Sequence, residues 1–187
     1  MGKTDLTDEA LMVRAAKGDR VAFEGIYDRY AGRVYNYFFK MLYQDSERAK
    51  DQTQELFMKL VEKGNQYDGN RAFRTWLFSI ANNMCKNIYR GEEVKRKAND
   101  ELKMESTNHS TQNMESIDKK AFKSALSEEL EKFEADRRSI FILRFKHQLS
   151  IKEIAETTGV AEGTVKSKLF YTLKKLSNQL VAFNPKS

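Results

Sequence analysis

Between Arg71 and Arg90 the stretch "RAFRTWLFSIANNMCKNIYR" contains no aspartate and no glutamate. It does contain Arg71, Arg74, Lys86 and Arg90, the amides of Asn82 and Asn83, and the hydroxyl of Ser79. Wound as a helix at about 100° per residue, it turns Phe73, Leu77, Ile80 and Met84 towards a core. Thr75, Ser79, Asn82, Asn83, Lys86 and Arg90 fall on the far side, with Trp76 at the border and Tyr67 and Asn70 in the turn before it. Nothing in this set pairs a nucleophile with a base. Aromatic rings stack on bases, amides read base edges and cations follow a phosphate chain, so the chemistry suits binding of single-stranded nucleic acid. Tyr67 and Trp76 read equally well as core aromatics.

A second set lies near the other end, in "LSIKEIAETTGVAEGTVKSKLFYTLKKL", Leu149 to Leu176. Ser150 followed by Glu153 has the spacing of a capping box, which starts a short helix. Gly159 supplies a left-handed residue to end it. A longer helix follows, from about Glu162 to Leu180. Val165, Leu169, Thr172, Leu173 and Leu176 share one face of it, which must be the core side. Thr164, Lys166, Ser167, Lys168, Phe170, Tyr171 and Lys174 lie on the outer face or its flanks. Helix, glycine turn and a basic second helix make a helix-turn-helix pattern, whose second helix enters the major groove of duplex DNA. Lysines hold phosphates, while Ser167, Phe170 and Lys174 reach towards base edges. A plain helical hairpin with a solvated lysine face is the alternative.

The third set is a stripe on the segment Ser46 to Lys63. Asp51, Gln54, Glu55, Met58 and Glu62 align on one side, and Ala49, Thr53, Leu56, Phe57 and Leu60 on the other. The apolar side is core. The acidic side is either solvated surface or a docking face for a basic partner.

These sets sit on helices throughout. One proline in 187 residues and apolar residues at helical spacing predict an all-α chain. Residues 1–90 read as one small helical domain and 122–187 as another. The polar stretch 91–121, with no apolar period, reads as a flexible linker; a surface helix over Glu92 to Leu102 is the alternative. Net charge of +6 and a pI near 9.2 fit a polyanionic partner. A single cysteine excludes an internal disulfide framework and, with two histidines, argues against a zinc site. No signal-like N-terminus and no apolar run of about 20 residues is present, which predicts a cytoplasmic protein without a membrane span. There is no phosphate-binding glycine loop, nucleophile–base pair or metal set, so neither catalysis nor a cofactor is expected.

The order of these pieces resembles the extracytoplasmic-function (group IV) sigma factors of bacterial RNA polymerase. "AFEGIYDRYAGRVYNYFFKML" looks like the family's opening helices, and "AKDQTQELFMKL" is similar to its polymerase-docking helix. "FRTWLFSIANNM" resembles the promoter-melting helix, and "SIKEIAETTGVAEGTVKSKL" the region that reads the upstream promoter element. The resemblance implies a region 2 bundle and a region 4 helix-turn-helix. It implies that Asp51, Gln54, Glu55 and Met58 meet the clamp helices of the polymerase's largest subunit. The flap of the second-largest subunit would be a further contact. The turn Gly64 to Ala72 would capture a flipped base, with Tyr67 and Asn70 in its pocket; flipping costs a few kcal/mol. Promoter DNA and core polymerase are the implied partners. An anti-sigma factor or a further DNA-targeting protein is also compatible, though no residue names either.

Three positions depart from the family pattern. The reading helix "SKLFYTLKKL" has no arginine, and lysine lacks the planar fork that favours guanine. Asn82 stands where an arginine is usual. Ala161 stands where a serine cap is usual, a loss of roughly 1 kcal/mol. Together they predict weak intrinsic recognition of the upstream element, assisted by polymerase or another partner. A stand-alone helix-turn-helix regulator and a partner-sequestering interaction protein are the competing readings.

Overall fold

The computed structural model describes residues 6–98 and 117–183. The first three helices open on side-chain caps. Thr7 starts α1 (Asp8–Ala15), Asp19 starts α2 (Arg20–Met41), and Asp45 starts α3 (Ser46–Lys63), each oxygen accepting a backbone N–H three residues on. Such caps satisfy donors that the first turn leaves free. The chain continues through α4 (Phe73–Ala98), α5 (Ile117–Glu131), α6 (Ala135–Phe145), α7 (Ile151–Thr158) and α8 (Glu162–Gln179). The described residues contain no strand.

The second helix is the spine of the front half. Its Ile26, Val34, Tyr37 and Phe38 are fully buried, and Tyr30 packs edge-on against Phe73. Around it α1, α3 and α4 bury Leu11, Met12, Leu56, Leu60, Leu77 and Phe78. Gly64 follows α3, but not for a left-handed turn, since its φ is −56°. A Cβ there would lie 3.0 Å from Met12 and 3.2 Å from Ala16, so close approach of α1 demands the glycine.

The two expected ends of the linker are helical. The α4 helix runs past Arg90 to Ala98, and α5 begins at Ile117. The remaining part, 99–116, lies outside the described residues.

The back half does not stand apart from the front. Helix α7 lies along α4, and α6 packs on α2. Ile140, Ile142, Leu143, Leu149, Ile154, Val165 and Leu169 join the same apolar core as Tyr37 and Phe78. A smaller cluster of Leu130, Phe133, Phe141 and Leu176 ties α5, α6 and α8 together. Arg138 is the largest of the fully buried side chains. It donates to the carbonyl oxygens of Met41, Glu131 and Phe133 at 3.0, 3.1 and 3.1 Å, and its guanidinium lies 4.3 Å from the centre of the Tyr43 ring.

Candidate nucleic-acid and polymerase interfaces

The acidic stripe of α3 faces outward. Asp51, Gln54 and Met58 are exposed, and Glu55 is half-buried and paired with Lys59 on the next turn. Opposite them Ala49, Thr53, Leu56, Phe57 and Leu60 are buried, as the spacing requires. Val61 and Tyr27 add exposed apolar surface on this side of the bundle.

The turn before α4 is held from within. Tyr67 is 8% exposed and wedged against Phe73 and Trp76, with its hydroxyl donating to the Arg71 carbonyl at 2.5 Å. Burial pushes its phenol up to about 12. Its ring is therefore a wall of the turn, not an exposed platform, whereas Asn70, Arg71 and Asn83 are exposed and Trp76 half-buried. Asn70 is fixed by two 3.0 Å hydrogen bonds to Asp68.

Along α4 the far face is divided. Asn83, Lys86 and Arg90 are exposed, and Ser79 is half-buried with its hydroxyl donating to the Trp76 carbonyl. Thr75 and Asn82 are buried, contrary to the outward face the helical spacing gives them. For Asn82 the cause is the back half, which reaches its amide. Ser139 of α6 donates to the Asn82 amide oxygen at 2.9 Å, and the Tyr37 hydroxyl lies 2.9 Å from Ser139 and 3.2 Å from the same amide oxygen. Burial raises the Tyr37 phenol well above its ordinary value, so the triangle stays neutral.

Two cations of α4 clamp α7 at its ends. Arg74 meets Glu153 at 2.6 Å, in the first turn of α7. Lys86 donates to the carbonyl of Thr158, the last residue of α7, at 3.1 Å. That carbonyl belongs to the negative end of a helix dipole, where a cation is favoured. The two α4 positions are about 18 Å apart along the helix axis. Burial works to raise the Glu153 carboxyl, but hydrogen bonds from Arg74 and Ser150 outweigh it and leave the group below its ordinary value. Glu153 also closes the capping box with Ser150 that starts α7, and Gly159 ends it at φ 75°.

On α8, Thr164, Lys166, Ser167, Phe170, Tyr171 and Lys174 are exposed. Phe170 and Tyr171 stand edge to face at 5.4 Å, both more than half exposed. Lys168 differs: it turns inward to Asp136 at 3.3 Å, and the other oxygen of that carboxylate is 4.0 Å from Lys86. Leu173 is exposed, while Val165, Leu169, Thr172 and Leu176 are buried. The helix starts at Ala161 without a side-chain cap.

Asp136, Ser139, Glu153 and Arg138 were not legible as site residues. Only Glu153 carried a signal, its capping-box spacing, and that says nothing of Arg74. Among the described residues no group of acids, histidines and cysteine is placed to hold a metal, and no helix is long and apolar enough to cross a membrane.

Comparison with known proteins agrees over both halves. The family models Sigma-70 region 2 and Sigma-70, region 4 match residues 26–94 and 123–176. The ECF RNA polymerase sigma-E factor of Escherichia coli K12 is 30% identical over 183 residues, spanning 94% of this chain and 95% of that one. Its counterpart in Haemophilus influenzae is 29% identical over 184 residues, spanning 94% and 96%. Among solved structures, the sigma factor RpoE of Bartonella quintana, in complex with the anti-sigma factor NepR, superposes with a TM-score of 0.73 at 22% identity. That likeness covers 84% of this chain and 96% of RpoE. CnrH, solved with the cytosolic domain of CnrY, gives 0.70 at 20% identity, over 94% and 97%. A stand-alone helix-turn-helix regulator has no place for a region 2 match. The chain belongs to the extracytoplasmic-function (ECF) sigma factors of the sigma-70 family.

Proposed function

We infer that this sigma factor binds core RNA polymerase through the outer face of α3 and directs it to promoters in the cytoplasm. The exposed Asp51, Gln54 and Met58, with Glu55 beside them, form the docking stripe. The exposed Asn83, Lys86 and Arg90 of α4, with Arg74, Trp76 and Ser79, take the opened strand. Asn70 and Arg71 form the rim of the base-capturing turn, and Tyr67 is its inner wall. The outer face of α8, from Thr164 and Lys166 to Lys174, rests on upstream duplex. The polymerase makes the phosphodiester bonds, and the sigma factor supplies binding alone.

The observation that carries this reading is the acid-free α4 face whose cations are engaged by region 4. Arg74, Asn82 and Lys86 cannot serve Glu153, Ser139 and Thr158 and a DNA strand at once. Strand capture therefore requires α6 and α7 to lift off α4. The solved relatives RpoE and CnrH are complexes with NepR and with a domain of CnrY. That supports a closed, partner-held state for this chain also.

Recognition of the upstream element is weak in this reading. The α8 helix itself offers lysines, a phenylalanine and a tyrosine but no guanidinium; the one beside it, Arg137 of α6, shares a surface pocket with Tyr171 and Lys174, and Lys168 is already taken by Asp136. Tight binding then draws on polymerase or on a further DNA-targeting partner. Run-off transcription with purified bacterial core enzyme tests the assignment. Asp51→Lys with Glu55→Lys should abolish capture by core. Asn83→Ala with Lys86→Gln should leave capture intact and lower open-complex formation about tenfold. Full activity of both variants would overturn the placement. Nanomolar, sequence-selective binding of the free chain to promoter duplex at physiological salt would overturn the weak upstream reading.

A further inference from the structure

A cleft of about 410 Å³ opens where the two halves meet. It is lined by Arg33, Asn36 and Lys40 of α2, by Arg74 of α4, and by Lys146, His147 and Gln148 from the corner between α6 and α7. No acid lines it. Of its four permanent cations only Arg74 has an ion-pair partner among the described residues, Glu153. Arg33 leans on the Tyr30 ring instead, 5.6 Å from its centre.

Such crowding is unfavourable by itself. Burial, then the neighbouring Lys146 and Lys123, disfavour the charged form of Lys40, with Glu131 in partial compensation. Burial and the charges of Arg33, Arg74 and Lys146 hold His147 neutral, down to about 4. Its Nε2 is buried without a hydrogen-bond partner, and its ring packs on Phe78 at 4.4 Å. A cluster of like charges with an unused polar atom at an interface is stabilised by an anion of matching size. Arginine forks and lysine points of charge together suit phosphate oxygens. The volume falls within the roughly 300–1,000 Å³ of small-molecule sites.

We propose that this cleft binds a small oligophosphate anion of nucleotide size, bridging α2 and α4 of region 2 to the α6–α7 corner of region 4. The ligand carries at least two phosphates, to match four cations contributed by three separate parts of the fold. Because its walls come from both halves, an occupant binds only the closed chain and favours closure by mass action. Occupancy therefore opposes release of the α4 face, and the chain gains a direct response to an anionic metabolite.

The test is calorimetric titration of the full chain, at constant ionic strength, with magnesium-free ATP, tripolyphosphate, AMP, sulfate and a short single-stranded oligonucleotide. ATP and tripolyphosphate should saturate one site per chain, about tenfold or more tighter than AMP or sulfate. Lys40→Gln with Lys146→Gln should weaken them at least about tenfold with no fall in melting temperature. Lys146→Gln alone, at an exposed position, should give a smaller loss if the double variant is unstable. Lys166→Gln with Lys174→Gln, on the exposed face of α8, should leave the affinities for ATP and tripolyphosphate unchanged. Absence of saturation, or equal losses in the α8 and cleft variants, would overturn the proposal. So would a preference for the oligonucleotide that the cleft variants abolish, which would assign the cleft to promoter phosphates. Transcription by the ligand-free chain is independent of this titration, so failure here leaves the promoter reading standing.

Discussion

Arg138 and Asp136 lie two residues apart on α6 and have opposite fates. The guanidinium of Arg138 is buried and bound to three carbonyl oxygens, one of them at the end of α2. Removing it leaves those carbonyls without a charged donor inside the protein. Arg138→Ala should cost about 3 kcal/mol or more in chemical denaturation, and Arg138→Lys should recover only part, since an ammonium lacks the fork. Asp136 is 45% exposed and shared between Lys86 and Lys168. Exposed pairs contribute roughly 0–1 kcal/mol, so Asp136→Asn should barely move the melting temperature. It should raise low-salt affinity of the free chain for DNA a few-fold, because a nearby anion is lost and Lys168 is released, while Lys86 keeps its bond to Thr158. A fall in affinity would show that Asp136 organises those lysines for DNA instead. Neither role was readable in "ADRRSIFILRF", because side-chain spacing shows which face a residue occupies and not what covers that face.

At the scale of elements, local signals and outcome agree where the chain decides its own structure. The capping box at Ser150, the left-handed Gly159 and the two faces of α3 follow from spacing alone. The missing cap at Ala161 is equally local: its φ of −60° and ψ of 147° already suit a capping side chain. Ala161→Ser should therefore stabilise α8 by about 1 kcal/mol, measured as a rise in melting temperature. An unchanged value would mean that solvent satisfies those N–H groups as well as serine does. Agreement fails where tertiary packing decides. Thr75 and Asn82 belong to the outward face of α4 yet are buried, Asn82 against Ser139 of α6. Leu173 sits at the edge of the α8 apolar face and stays 43% exposed. The α6–α7 corner should also respond to acid. His147 titrates near 4 in the folded chain against an ordinary 6.5, so the unfolded chain binds more protons in between. Stability is then fully present above about pH 6.5 and falls as pH drops towards 4, by up to about 3 kcal/mol. His147→Phe, which keeps a ring against Phe78, should flatten that part of the pH profile. Glu153 acts in the same sense at lower pH, weakening its tie to Arg74 as the carboxyl protonates below its ordinary 4.5.

For the whole molecule, composition and helical period gave an all-α chain in two helical parts, and the order of motifs gave the family with its two sigma regions. The joint between the regions was invisible to that reading, because a polar linker suggests separation while the contacts that close the halves lie far apart in sequence. Arg74 with Glu153, Lys86 with Thr158, and Tyr37 with Asn82 and Ser139 make the α4 face an internal interface, which the proposed capture of a DNA strand would have to open. The charged part of that joint is screened by salt while its apolar part is not, so closure should weaken only modestly as salt rises. The most direct test is the distance between spin labels at exposed Lys63 and Glu156, each changed to cysteine, with buried Cys85 left unlabelled. The free chain should give one narrow distance distribution, set by the closed joint. The chain in a transcribing complex with core polymerase and promoter DNA should give a distinctly different one. An unchanged distribution in the active complex, or a broad one already in the free chain, would contradict a closed joint that must part for the strand to be captured.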